Sequence, residues 1–266
     1  MRTLVLLAVL VFASAADASP GVTAFSHTPG TAWWHDSAGR LVVAADSTVS
    51  GLAALTRAVS RSGGTVVREP GVLRRHIAGG DPFYGATGGR CTAGFNARAL
   101  PDSYVLASAH CVGAVGSTVY ANAARTVVLG TVATKNTPYD YALVRYTNPA
   151  LPHPSAVQLP SGTLAPIASF APGYVGQAVT RVGATTGLRT GTITALNATV
   201  NYADGIVYGL IRTSVCSEPG DSGGPLFAGT QGIGMASGGS GNCTSGGVTY
   251  FASASRAATA YGVTAS

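Results

Sequence analysis

The run Gly220-Asp221-Ser222-Gly223-Gly224-Pro225 decides how the rest of this chain is read. Glycines around a serine permit a tight turn that exposes the hydroxyl and lets a reacting group approach the backbone. Taken alone, the run fits an ordinary glycine-rich turn, in a chain with 36 glycines. It also fits the G-x-S-x-G elbow between a strand and a helix of a parallel α/β sheet. A serine nucleophile needs a histidine base, and the elbow arrangement places that histidine after the serine. No histidine follows Ser222; the last is His153. Repeated strand–helix–strand units are missing as well, so the elbow is excluded.

The base must therefore lie upstream. After residue 76 the histidines are His110 and His153. His153 sits in Leu151-Pro152-His153-Pro154, a proline-bounded connection that reads as surface. His110 ends Val105-Leu106-Ala107-Ser108-Ala109-His110-Cys111, where an apolar strand runs into small residues and a cysteine that can pin it. An orienting carboxylate comes from Asp81, Asp102, Asp140, Asp204, Glu218 or Asp221. Asp102 precedes His110, an order that belongs to α/β folds with long helices. Asp81 and Asp204 lie in turns and read as solvated or capping residues. Asp221 adjoins the serine and does not reach the far side of the histidine. Asp140 opens the strand Asp140-Tyr141-Ala142-Leu143-Val144, which buries its side chain where apolar residues converge. The order His110, Asp140, Ser222 results.

Outside this constellation the chain has three textures. Met1-Arg2, the apolar run over 3–13 and the small-residue sites ending at Ala15 and Ala18 describe a secretory signal peptide, assigned to residues 1–18. Residues 19–76 hold both tryptophans and a β-β-α-β pattern. Its strands are expected at 31–35, 41–45 and 64–68, and its helix at 50–59 behind a Ser50 cap. From Ile77 onward, short strands alternate with Gly, Asn, Asp and Pro turns. Strands are expected at 126–129, 141–144, 191–202, 206–215 and 226–235, and one helix at 253–261. That pattern means an antiparallel sandwich or barrel architecture.

Composition removes other classes. Only 10% of residues are charged, against roughly 25% in ordinary soluble domains. The net charge of +6 rests on scattered arginines, with Arg74-Arg75 the one adjacent pair and Lys135 the one lysine. A nucleic-acid binder clusters such residues on one face, so no nucleic-acid partner is expected. No segment past the leader is apolar enough to span a bilayer, so no membrane partner is expected after its removal. Cys91, Cys111, Cys216 and Cys243 are even in number and form no C-x-x-C pair. Disulfides in an exported protein are the reading, with three pairings open. No metal or other cofactor is expected.

The ordered runs resemble the chymotrypsin-like serine proteases, and within them the streptogrisins. They are Ile77-Ala78-Gly79-Gly80-Asp81, Arg90-Cys91-Thr92-Ala93-Gly94-Phe95-Asn96, Ala109-His110-Cys111, Asp140 to Tyr146, Ala195 to Tyr202, Cys216 to Pro225 and Ser237-Gly238-Gly239-Ser240-Gly241-Asn242-Cys243. The likeness covers essentially all of 77–266 and implies an all-β fold. Two antiparallel barrels, about 77–155 and 156–252, carry a short C-terminal helix at 253–262, preceded by a small α+β pro-region. It implies the disulfides Cys91–Cys111 and Cys216–Cys243 and a catalytic triad of His110, Asp140 and Ser222. An oxyanion hole at Gly220 and Ser222 and a structural ion pair between Arg181 and Asp221 follow from it too. Glu218, Pro219, Ala236, Ser237, Gly238 and Gly239 would bind substrate. Ala236 stands where glutamate-specific relatives carry a histidine, and an uncharged, roomy slot prefers Phe, Tyr, Leu or Met before the scissile bond. The pro-region acts as folding aid and inhibitor, cut between His76 and Ile77, and releases a secreted, extracellular, monomeric endopeptidase acting on proteins and peptides. One departure is Ala107-Ser108-Ala109, where the family more often has Thr-Ala-Gly or Thr-Ala-Ala; looser packing there is expected. A serine esterase or a catalytically silent binding module on the same scaffold are the alternatives.

Overall fold

The computed structural model describes residues 28, 30–45, 47–68 and 77–266. The leader assigned to residues 1–18 and His76 of the maturation site lie outside the described residues. The chain divides into two compact units, Met1–Arg74 and Arg75–Ser266.

In the first unit, Thr31–His35 pairs antiparallel with Leu41–Ala45, which pairs parallel with Thr65–Arg68. Asp36 holds the hairpin turn, its Oδ1 accepting from the N–H groups of Ala38 and Arg40 at 2.9 Å. The crossover helix spans Leu52–Arg61 and buries Val59 against Leu41 and Val43. Its N-cap is not Ser50. Gly51 takes that place in the left-handed region, with φ 74° and no side-chain cap bond, a conformation that glycine adopts without steric cost.

The second unit is built from two large sheets and a short two-stranded one, Ala156–Gln158 with Leu164–Pro166. The first has eight strands, running through Phe95–Ala99, Asp102–Ala107, Tyr141–Tyr146 and Val128–Asn136 at its centre. The second runs Gln231–Asn242, Pro225–Ala228, Ala178–Gly183, Gly187–Tyr202, Gly205–Thr213 and Gly246–Ser253, and pairing of the last strand with the first closes it into a barrel. The continuous apolar runs at 105–107 and 141–144 follow from burial on both faces. Val105, Ala107, Ala142 and Val144 point into the first sheet's own core, with Phe83, Val119 and Leu129. Leu106 and Leu143 point the other way, into a core shared with Val182, Leu210, Phe227 and Met235 of the second sheet. Alternation thus joins the two halves through apolar contact, at about 25 cal/mol per Å² of surface removed from water.

Some expected elements shift. The strand expected at 126 begins at Val128, because Asn122 Oδ1 takes the N–H groups of Thr126 and Val127 at 3.0 Å and folds them into a turn. The run 226–235 is two antiparallel strands, broken where Gly229 turns with φ 55°. The closing helix spans Ala254–Tyr261, and Ser253 Oγ caps it by accepting from Arg256 N–H at 3.3 Å.

Leu106 is fully buried in the shared core. Leu106→Ala should therefore lower unfolding free energy by about 2–5 kcal/mol, measured as a fall in the urea midpoint at unchanged slope.

Candidate active site

His110 sits in a single 3-10 turn, Ala109–Cys111, at the end of the strand Asp102–Ala107. The turn is tied to Cys91 by the disulfide Cys91–Cys111. The sulfurs of Cys91 and Cys111 lie near the His110 ring, but bonded to each other they leave no thiolate for a metal. Asp140 ends the neighbouring 3-10 turn, Thr137–Tyr139, in the left-handed region at φ 51°, a conformation aspartate tolerates better than most residues. The turn swings its carboxylate, 3% exposed, under the histidine. Asp140 Oδ1 accepts from the His110 backbone N–H at 3.0 Å, and its two oxygens lie 3.0 and 2.9 Å from Nδ1. This contact fixes both the backbone and the ring of His110, and selects the tautomer with its proton on Nδ1. Burial lowers the affinity of the imidazole for a second proton. The bond and charge of Asp140, with the charge of Asp204, outweigh it, and the His110 pKa stands above the ordinary 6.5.

Ser222 lies in a loop built around a fully buried ion pair. Arg181 Nη1 is 3.1 Å from Asp221 Oδ2, with both side chains at 0% exposure. Asp221 Oδ1 accepts from the N–H groups of Thr185 and Thr186 at 2.9 and 3.0 Å. Oδ2 accepts from Thr186 Oγ1 at 2.6 Å and from Glu218 N–H at 3.0 Å. Arg181 Nη2 reaches round to the Cys216 carbonyl, beside the disulfide Cys216–Cys243. Burial pushes the Asp221 carboxyl up, but the Thr186 hydroxyl, the Glu218 N–H and the Arg181 charge outweigh it and hold the pKa below 3.8.

With the loop pinned, its backbone N–H groups divide into two sets. Asp221 N–H donates to Glu218 O, Gly223 N–H to Ala236 O and Gly224 N–H to Asp221 O, at 2.7–3.0 Å. Among the described residues, the N–H groups of Gly220 and Ser222 have no acceptor. Gly220 has φ 98°, and a Cβ there would stand 2.3 Å from Thr185 Oγ1; only glycine suits the position. Ser222 Oγ makes no hydrogen bond among the described residues, and His110 Nε2 lies 3.7 Å from Cys111 Sγ. The structure thus brings His110 and Asp140 into direct contact and leaves the serine–histidine bond open, as unliganded sites often do.

Two cavities meet along Ser237-Gly238-Gly239. One, about 320 Å³, is lined by Ser217, Glu218, Pro219, Ser222, Ala236 and Gly239 among others. The second, about 290 Å³, contains His110, Asp140, Tyr202, Asp204 and Ile206, and shares Ser237, Gly238 and Gly239 with the first.

Residues 82–260 match the family described as Trypsin. The chain belongs to the trypsin family. Streptogrisin-A of Streptomyces griseus is 44% identical over 256 residues, spanning 94% of this chain and 82% of that protein. Serine protease 2 of Streptomyces fradiae is 51% identical over 176 residues, spanning 65% of this chain and 100% of that one. A solved glutamic-acid-specific serine protease, which uses a histidine triad in substrate binding, superposes with a TM-score of 0.67 at 39% identity, covering 71% of this chain and all of its own. The protein is a chymotrypsin-like serine endopeptidase of the streptogrisin type, and its substrates are proteins and peptides.

Within this trypsin-family chain two expectations need correcting. The first cavity is not free of carboxylates, because Glu218 lines it, with Oε1 accepting from Cys243 N–H at 3.1 Å. Ala107, Ser108 and Ala109 are fully buried rather than loosely packed, and the Ser108 hydroxyl donates to Ala236 O at 2.9 Å. Asp204 is an exposed turn residue as expected, and it also lines the cavity that holds His110. The sequence reading also passed over Thr92. Buried, it takes Ser222 O with its N–H at 2.8 Å and Gly220 O with its hydroxyl at 2.7 Å. No sequence signal marks it, since the partners are more than a hundred residues away.

Arg181→Leu should cost about 3–5 kcal/mol of stability, because it strands Asp221 as an unpaired buried charge. The folded pKa of Asp221 is depressed, so its contribution is complete above the unfolded value of 3.8 and lost as pH falls through the lower folded value. Urea midpoints between pH 2 and 6 should show that the wild type's advantage over Asp221→Asn shrinks below about pH 4.

Proposed function

We propose that the chain is the precursor of a secreted endopeptidase whose nucleophile is Ser222, with His110 as base and Asp140 as its orienting carboxylate. The reading is carried by the N–H groups of Gly220 and Ser222, which have no acceptor among the described residues, in a chain where a buried carboxylate holds Nδ1 of His110. Ser222 Oγ attacks the scissile carbonyl carbon while His110 Nε2 takes the hydroxyl proton. The negative charge gathering on the carbonyl oxygen is met by the two N–H groups, at about 3 kcal/mol per donor. His110 then returns the proton to the leaving amine, water attacks the acyl-enzyme, and Asp140 stabilises the imidazolium in both halves.

The cavity beside Ser222 takes the side chain before the scissile bond. Ala236, Gly238 and Gly239 on its wall support a large apolar residue there: Phe, Tyr, Leu or Met. The solved glutamate-specific relative uses a histidine triad, whereas the histidines after residue 76 are His110 and His153. His153 is stacked on the Tyr146 ring at 4.2 Å. The Glu218 carboxylate favours a second reading, acceptance of Lys or Arg, but one of its oxygens is already committed to Cys243 N–H.

Residues 1–18 serve as signal peptide. Residues 19–76 serve as pro-region, folding aid and inhibitor, removed between His76 and Ile77 to give a monomeric mature enzyme of residues 77–266. The disulfides support export to an oxidising compartment.

Ser222→Ala should abolish fluorophosphonate labelling; labelling without casein cleavage but with short-chain ester hydrolysis would make the protein an esterase instead. Asp140→Asn should lower kcat/KM about 10⁴-fold. His110 must be neutral to accept the proton, and its pKa is raised, so kcat/KM should fall on acidification with a midpoint above 6.5. A peptide-library digest mapped by mass spectrometry should show cuts after Phe, Tyr, Leu and Met; cuts confined to Lys, Arg or Glu overturn the apolar pocket.

A further inference from the structure

The hairpin of Gly187–Tyr202 and Gly205–Thr213 turns at Ala203-Asp204. Its tip forms one wall of the cavity that contains His110 and Asp140. That wall has two chemistries. Tyr202 and Ile206 supply apolar surface, Ile206 being 46% exposed. Tyr202 packs over Gly238 so closely that a Cβ there would stand 2.8 Å from the ring. Asp204 supplies a carboxylate, and among the described residues no cation is paired with it. The other charged group lining the cavity is Asp140, buried and bonded to His110. Lys135 acts on His110 from outside the lining, with Nζ turned to the Val112 and Gly113 carbonyls at 3.3 and 3.4 Å.

We infer that Asp204 is a specificity-determining residue that selects lysine or arginine at the substrate position immediately before the residue held beside Ser222. This deepens the proposed function and rests on it, since it takes the Ser222 cavity as the site of the residue preceding the cut. An extended substrate whose side chain fills that cavity places its preceding side chain over Gly238 and His110, where the second cavity begins. Lysine and arginine match such a wall part by part. Their methylene stems lie along Ile206 and the Tyr202 ring, and their charged heads reach an exposed carboxylate at the rim. A glutamate there meets Asp204 as a like charge. Asp204 and His110 line the same cavity, and the Asp204 charge adds to the rise of the His110 pKa.

The test uses the full chain, processed as secreted, with active sites counted by fluorophosphonate titration so that rates refer to folded enzyme. Acetylated tetrapeptide anilides ending in Phe differ only in the residue before Phe: lysine, norleucine or glutamate. The expected order of kcat/KM is lysine above norleucine above glutamate, with lysine ahead of norleucine by roughly two- to fivefold at low salt. That ratio should narrow in 0.5–1 M salt. Asp204→Asn should bring it to about one. Equal rates for lysine and norleucine in the wild type overturn this inference alone, as does an undiminished ratio in Asp204→Asn. Failure to cleave or label at all overturns the reading of Ser222 and this inference with it.

Discussion

The fully buried contact between Arg181 and Asp221 is the constraint on which the rest of the site depends. Moving two charges out of water is costly, and their attraction alone does not repay it. The cost is met because the Asp221 oxygens are taken up by Thr185, Thr186 and Glu218 as well as by Arg181. Those partners come from the turn after Ala178–Gly183 and from the approach to Asp221 itself. The carboxylate therefore fastens the 217–221 loop to a strand of the closed barrel. Once it is fastened, Asp221 points inward, and the N–H groups of Gly220 and Ser222 are left without acceptors among the described residues. A surface aspartate at 221 would leave the same backbone free to wander.

A second set of bonds relates this loop to His110, which belongs to the other sheet. Thr92 crosses with its N–H on Ser222 O and its hydroxyl on Gly220 O, while accepting from Ala184 N–H. Cys91, next in the chain, is bonded to Cys111, next to His110. Covalent and hydrogen-bonded links therefore run from the serine loop to the histidine turn through two adjacent residues. The shared core of Leu106, Leu143, Val182 and Met235 supplies the non-directional part of the same attachment. Apolar burial brings the two sheets together, and the polar crossing fixes their register.

What the sequence made legible follows from this division. His110, Asp140 and Ser222 can be singled out as candidates because few histidines and acids exist after residue 76, so chain order eliminates alternatives. The strands expected at 141–144 and 206–215 were legible from apolar runs and turn residues, the second running Gly205–Thr213 in the fold. Thr92, Thr185 and Thr186 were not, since a threonine reads the same in sequence whether its hydroxyl faces water or a partner far along the chain, as Thr92 faces Gly220 O. The break in 226–235 was hidden because Gly229 sits among the other glycines of a glycine-rich segment. Ser50 does not cap the helix although serine favours that place; the left-handed Gly51 ends the approach one residue later.

Ala107-Ser108-Ala109 shows most clearly why a departure from a family pattern has to be read in three dimensions. On paper, losing a threonine hydroxyl before the histidine removes an anchor. In the fold, the Ser108 hydroxyl is itself buried and donates to Ala236 O, the same oxygen that receives Gly223 N–H at 2.7 Å. One carbonyl on the wall of the Ser222 cavity thus holds both the residue after the serine and a residue two before the histidine. A hydrogen bond of this kind contributes about 1 kcal/mol to stability, a small share of the total. Its geometric effect is larger, because a shift of the Ala236 strand to fit a bulkier side chain moves the serine turn and the histidine turn together. Side-chain recognition and the relative placement of the proposed nucleophile and base are therefore not independent variables in this protein.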